Sequence, residues 1–232
     1  AIVSFYFSDT LLSWLRKPLA APCCGLPNHL LSPPELVFIS PAEVFLTDIK
    51  ISLFFGLAAA LPFLLYQLWQ FIAPGLVEKE RRSVYPFLLF SSLSFYAGVA
   101  FSYFLALPFA MQFLMVYGQQ KGILPRISIA AYIDFNLIFL FSFGMIFEMP
   151  MVMVLLSKTG LLTVPFLTHY RRVAIVLAFV VAAILTPTPD IFNQALMAIP
   201  LIILYEIGII AVRFFGPSTP QPQETAARFP SA

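Results

Sequence analysis

FIAPGLVEKERR, residues 71–82, decides the fold. Upstream of it, Ile49 to Phe71 carries one charge, Lys50, and downstream Ser83 to Ala106 carries none. The short stretch between holds Glu78, Lys79, Glu80, Arg81 and Arg82. Charge at the middle of a bilayer costs roughly 2.5–3.5 kcal/mol per residue, so this stretch sits in water while its flanks sit in lipid. Pro74 lacks the donor that would continue the incoming helix, and Gly75 tolerates the backbone angles of a turn. The stretch therefore reads as a tight helix-to-helix turn at a membrane surface.

The bulk numbers agree. Of 232 residues, 60% are hydrophobic and 10% charged, against about 25% charged in a soluble domain. Several apolar runs near ~20 residues place the chain among polytopic all-α membrane proteins. A β-barrel strand would alternate polar and apolar residues; ISLFFGLAAALPFLLY (51–66) does not. A net charge of +2 is too small to suggest nucleic acid as a partner. Cys23 and Cys24 are adjacent, where side chains diverge and a disulfide is strained. No CxxC or Cys/His ligand spacing occurs, which argues against a metal.

Taken in order, AIVSFYF (1–7) reads as the far end of a membrane helix whose beginning is missing. Ser8 and Asp9 are N-cap types, and the following residues suggest a short interfacial helix with Trp14 as anchor and Arg16 and Lys17 toward water. Pro18 to Pro34 is expected to be irregular, with a brief extended piece at Leu36 to Phe45 returning the chain to the membrane. Complete spans are predicted at 48–73, 84–107, 131–157, 171–186 and 191–214. Pro62 should kink the first and Pro108 close the second, with a second interfacial helix at 109–117. The span at 171–186 is short for a bilayer about 30 Å thick, which predicts local thinning or burial against a partner. Residues 216–232 read as a disordered tail.

Lys and Arg set the orientation. Lys79, Arg81, Arg82, Lys158, Arg171, Arg172, Arg213 and Arg228 fall on one side, and Arg16, Lys17, Lys50, Lys121 and Arg126 on the other. The first set is larger and sits in shorter loops, so that side is read as cytoplasmic.

Four polar residues draw attention. Glu148 lies two thirds of the way through an apolar span; an intramembrane carboxyl is a docking point for another helix, a protonatable site, or simply a paired neutral group. Asp190 and Gln194 share a face at a helix start, where Asp190 also suits a plain cap. Glu80 lies among Lys79, Arg81 and Arg82. Local pairing explains it, and so does capture of guanidinium groups, which donate bidentate bonds to a carboxylate. His29 and His169 are isolated; HExxH, GxSxG and Walker A patterns are absent, which argues against a protease or a nucleotide hydrolase.

LPFLLYQLWQFIAPGLVEKERR (61–82), FGMIFEMPMV (143–152) and LTPTPDIFNQALMAIPLIILYEIGI (185–209), in that order and spacing, resemble the TatC subunit of the twin-arginine translocase. The resemblance runs from Ser40 to Arg213. It implies a six-helix cupped bundle, here with the first helix truncated, and both termini of the full protein in the cytoplasm. It also implies binding of twin-arginine signal peptides of folded cargo, assembly with the single-span partners TatA and TatB in a homo-oligomeric receptor complex, and transport driven by the proton-motive force, with no cofactor. Phe71 and Glu80 match the family's signal-contacting positions. Glu148 matches its buried glutamate. Pro41, Asp190 and Gln194 match functional positions on the outer side and at the last span. The chain departs from the family in lacking the N-terminal cytoplasmic stretch with its signal-recognising glutamate, and in carrying Val77 where an aromatic is usual. An alternative is a proton-coupled small-solute transporter using Glu148, which predicts internal repeats that the sequence does not show.

Overall fold

The computed structural model describes residues 2–20, 35–72, 84–121, 126–186 and 190–216. The chain is helical nearly throughout these residues. Helices α1 (Ile2–Tyr6) and α2 (Ser8–Ala20) lead to a three-residue strand, β1 (Glu35–Val37). Helix α3 (Glu43–Ile72) follows, with Pro62 inside it. Helix α4 (Val84–Phe101) passes through a π-helical turn at Ser102–Ala106 into α5 (Leu107–Gln120). Strand β2 (Arg126–Ser128) precedes α6 (Ile129–Phe147) and α7 (Met149–Lys158), then the short α8 (Val164–His169). Helices α9 (Arg171–Leu185) and α10 (Ile191–Phe215) complete the described chain.

Among the described residues, four stretches are long and apolar enough to cross a membrane: Glu43–Leu68, Phe87–Gly118, Ile129–Lys158 and Ile191–Phe215. The second contradicts the expected stop at Pro108. The amide of Leu107 bonds back to the carbonyl of Ser102, five residues earlier, and the helix runs on to Gln120. A widened turn of this kind accommodates the missing donor of a nearby proline, so inside a membrane protein the ring does not end the helix. Helix α9, with 15 residues, is about 22 Å long, shorter than the ~30 Å hydrocarbon core.

Helix α2 is an integral part of the bundle. The Trp14 ring stacks on Tyr103 at 3.9 Å, and Leu15 is fully buried. Pro18 has no N–H to give the carbonyl of Trp14, four residues back. The Tyr103 hydroxyl donates to that oxygen at 2.8 Å, and the Tyr132 hydroxyl donates to the carbonyl of Leu15 at 2.7 Å. Trp14 is thus held by protein, where the sequence suggested an interfacial anchor.

The main core gathers Leu15, Ile51, Tyr132, Phe139, Phe143 and Met197 from four helices. A second cluster joins α7, α8 and α10 through Met153, Leu167 and Tyr205, and the Tyr205 hydroxyl donates to the carbonyl of Leu167 at 2.8 Å. The stretch KTGLLTVPFLTHYRR (158–172) contains α8. Thr163 caps it by accepting from the amide of Phe166, and Pro165 stands in its first turn, where no helical donor is needed. Gly160, at φ +79°, makes the left-handed exit from α7 that a residue with a Cβ adopts only with strain.

Strands β1 and β2 pair in parallel, Glu35 opposite Arg126 and Val37 opposite Ser128. This small sheet closes one end of the bundle, where α3 and α6 both begin.

Candidate functional site

Glu148 sits where α6 gives way to α7. Pro150 has no amide hydrogen for the carbonyl of Ile146, so the helix breaks there. It restarts with the amides of Met151 and Val152 both bonding to the carbonyl of Glu148 at 3.0 Å. The side chain turns toward α4 and is buried, 7% exposed. Its Oε2 accepts from the Ser91 hydroxyl; its Oε1 is enclosed and has no hydrogen-bond partner among the described residues. One turn further along α4, the Ser94 hydroxyl donates to the carbonyl of Phe147 at 2.6 Å.

This seam is close because both helices present glycine. A Cβ on Gly98 would fall 2.5 Å from the carbonyl oxygen of Phe143, and one on Gly144 would fall 2.5 Å from the ring of Phe95. Small residues let helix backbones approach in this way inside a membrane, and the approach brings a serine hydroxyl within reach of a carboxyl on the next helix. Ser91, Ser94, Phe95 and Gly98 recur at helical spacing on one face of α4. The arrangement leaves one carboxyl oxygen committed to the fold and one with hydrogen-bonding capacity to spare.

Asp190 and Gln194 occupy a different place. Gly208 of α10 lies against Pro150, so Asp190, eighteen residues back, is roughly 27 Å away along the axis from that level. Asp190 is an N-cap: one carboxylate oxygen accepts from the amide of Asn193 at 2.7 Å and the other from its side-chain amide at 3.0 Å. Gln194 donates from Nε2 to the carbonyl of Phe179 at 3.1 Å, tying α10 to α9. Glu206, further along this helix, accepts from Arg171 at 2.9 Å in a half-exposed ion pair.

Phe71 falls in the last turn of α3. Glu80 lies in 73–83, outside the described residues, as does Val77. Pro41 is exposed in the turn that enters α3. The residue that organises that turn is Glu43, which the sequence reading passed over. Its Oε2 accepts from the amides of Ile39 at 2.6 Å and Ser40 at 3.2 Å; its Oε1 accepts from the amide of Ala130 at 2.9 Å and from the Ser128 hydroxyl. One carboxylate thus fastens the β1 connection to the start of α6. The signal was present: Ser40 followed by Glu43 is a capping box, in which the glutamate reaches back to the cap amide. Asn193, fully buried beside Asp190, also went unnoticed.

The Sec-independent protein translocase protein (TatC) family model matches residues 1–200. The chain is 42% identical over 210 residues to the TatC protein of Aquifex aeolicus, covering 89% of this chain and 82% of that one. It is 36% identical over 217 residues to the TatC protein of Carboxydothermus hydrogenoformans, covering 94% and 85%. A crystal structure of the twin-arginine translocase receptor TatC superposes with a TM-score of 0.78 at 40% identity, covering 91% of this chain and 89% of that one. A buried carboxyl in a membrane-spanning helical bundle, the three sequence stretches and these likenesses agree: the chain belongs to the TatC family, the Sec-independent protein translocase proteins.

Proposed function

We propose that this chain is the receptor subunit of a twin-arginine export machine. The observation that carries the reading is the likeness over 91% of the chain to a twin-arginine translocase receptor, in a bundle that encloses a carboxyl at Glu148 within its apolar spans. The 71–82 turn faces the cytoplasm. There Glu80 accepts hydrogen bonds from the paired guanidinium groups of a signal peptide, and Phe71 packs beside them. The apolar part of the signal then enters the bundle. TatA and TatB type helices dock through the spare oxygen of Glu148 and through the region of Asp190 and Gln194. Several copies assemble around the cargo, and the proton-motive force drives transport. The chain itself performs no covalent chemistry.

The test is capture of a twin-arginine signal peptide by the purified protein, compared with its Lys-Lys variant. A charge-assisted bond contributes roughly 1.5–3 kcal/mol, so Glu80→Gln should weaken capture about tenfold or more. Equal capture of the two peptides overturns the receptor reading. Unchanged capture by Glu80→Gln removes that residue from the site.

A further inference from the structure

Lys50 of α3 and Asp134 of α6 meet at the end of the bundle that carries the small sheet. The ammonium donates to both carboxylate oxygens, at 2.7 and 2.8 Å. The pair is half exposed, 48% and 43% by side chain. It lines a groove of about 460 Å³ together with Ser40, Glu43, Thr47 and Ser128.

Its depth is that of a lipid headgroup. Helix α3 has 30 residues, about 45 Å against roughly 30 Å of hydrocarbon, so a centred helix extends about 7 Å beyond the core at each end. Lys50, about 10 Å along from Glu43, then lies within one turn of the hydrocarbon boundary. Below the pair, two apolar stripes descend at helical spacing. Leu53 and Leu57 continue the Lys50 face of α3, and Ile138, Phe141 and Met145 continue the Asp134 face of α6, each between 39% and 62% exposed. A polar seat at the boundary above paired apolar stripes has the shape of one phospholipid, head and tails.

We propose that this groove seats an aminophospholipid whose headgroup bears a primary ammonium. The ion pair leaves the valences for it. A lysine ammonium has three donors and the carboxylate about four acceptor positions; two of each are used between Lys50 and Asp134. The third donor of Lys50 meets a phosphate oxygen, and the headgroup ammonium donates to the open lone pairs of Asp134, so four charges alternate in sign and none of the existing bonds breaks. A quaternary choline headgroup has no N–H to donate. A glycerol headgroup carries the phosphate charge alone, with neutral hydroxyls and no cation to offset the Asp134 and Glu43 carboxylates on the same wall.

Native mass spectrometry of the full chain, released from vesicles with equal phosphatidylethanolamine, phosphatidylcholine and phosphatidylglycerol, tests this. The wild type should retain phosphatidylethanolamine about tenfold over each of the others, as one charge-assisted hydrogen bond implies. Asp134→Asn, which preserves the shape of the helix surface, should bring phosphatidylethanolamine and phosphatidylcholine to parity. Lys50→Gln should lower retention of both. Equal retention of the three lipids by the wild type, preference for phosphatidylglycerol, or a preference unaltered in Asp134→Asn overturns the proposal. So does a second copy of the chain in place of lipid, released by Lys50→Gln.

Discussion

Replacing Gly98 by alanine tests the α4–α6 seam most directly. The added methyl would fall 2.5 Å from the carbonyl oxygen of Phe143 and 2.8 Å from Cβ and Cγ of Phe147, where carbon contacts ordinarily lie at about 3.5–4.0 Å. One obstacle is main chain and the other is the root of a side chain, so neither swings aside. The helices must separate by about 1 Å to restore ordinary contact. Overpacking of this kind costs roughly 1–3 kcal/mol. The same separation stretches the Ser94 bond to Phe147, now 2.6 Å, and the Ser91 bond to Glu148, each contributing about 1 kcal/mol net. Gly98→Ala should therefore lose about 2–4 kcal/mol, read by reversible unfolding in mixed micelles with circular dichroism. Gly118→Ala is the control, since a methyl there meets nothing within 4 Å and should gain slightly from helix propensity. A Gly98→Ala stability within about 0.5 kcal/mol of that control, the scatter of an ordinary surface change, would refute the seam as the source of rigidity around Glu148.

Other predictions concern single contacts. Tyr103→Phe should leave the carbonyl of Trp14 without the donor that Pro18 cannot supply, costing about 1–3 kcal/mol and raising amide exchange across residues 8–20; unaltered exchange would contradict that role. Glu43→Ala should release the β1 connection from α6, seen as faster proteolytic cutting between residues 35 and 42, whereas Glu43→Gln should have a smaller effect because an amide keeps one acceptor oxygen. Glu148→Ala should impair recruitment of single-span partners, measured by crosslinking, while leaving capture of the twin-arginine peptide intact; loss of both together would point to a general folding defect.

The helical membrane class was legible because apolar length and clustered charge are local properties. The family followed from three stretches whose residues could be read directly. What failed did so at interactions between distant segments. Pro108 ends a helix by any local rule, yet the π-helical turn before it and the cover of neighbouring helices let the helix continue. Trp14 looked like a lipid anchor because nothing in TLLSWLRK announces a stacking partner 89 residues on. Ser91 stands in the run SSLS, and only the register set by Gly98 and Gly144 selects it as the donor to Glu148. The pairing of β1 with β2 joins three residues to three others far along the chain, below any periodic signal. Glu43 is different: its capping box was in plain view, and its reach to Ser128 and Ala130 was the part hidden until the fold brought α6 beside it.

The shortness of α9 has an electrical consequence. A transmembrane voltage falls almost wholly across the insulating hydrocarbon; if α9 spans the bilayer and the bilayer thins to match it, the voltage falls there over about 22 Å instead of about 30 Å. The gradient beside this helix is then about a third steeper than elsewhere around the molecule. Arg171 and Glu206 lie at one pole of that gap, and Asp190 at the start of α10 lies just past the other. On that arrangement, a charge that moves between those poles crosses the full membrane potential over about 22 Å.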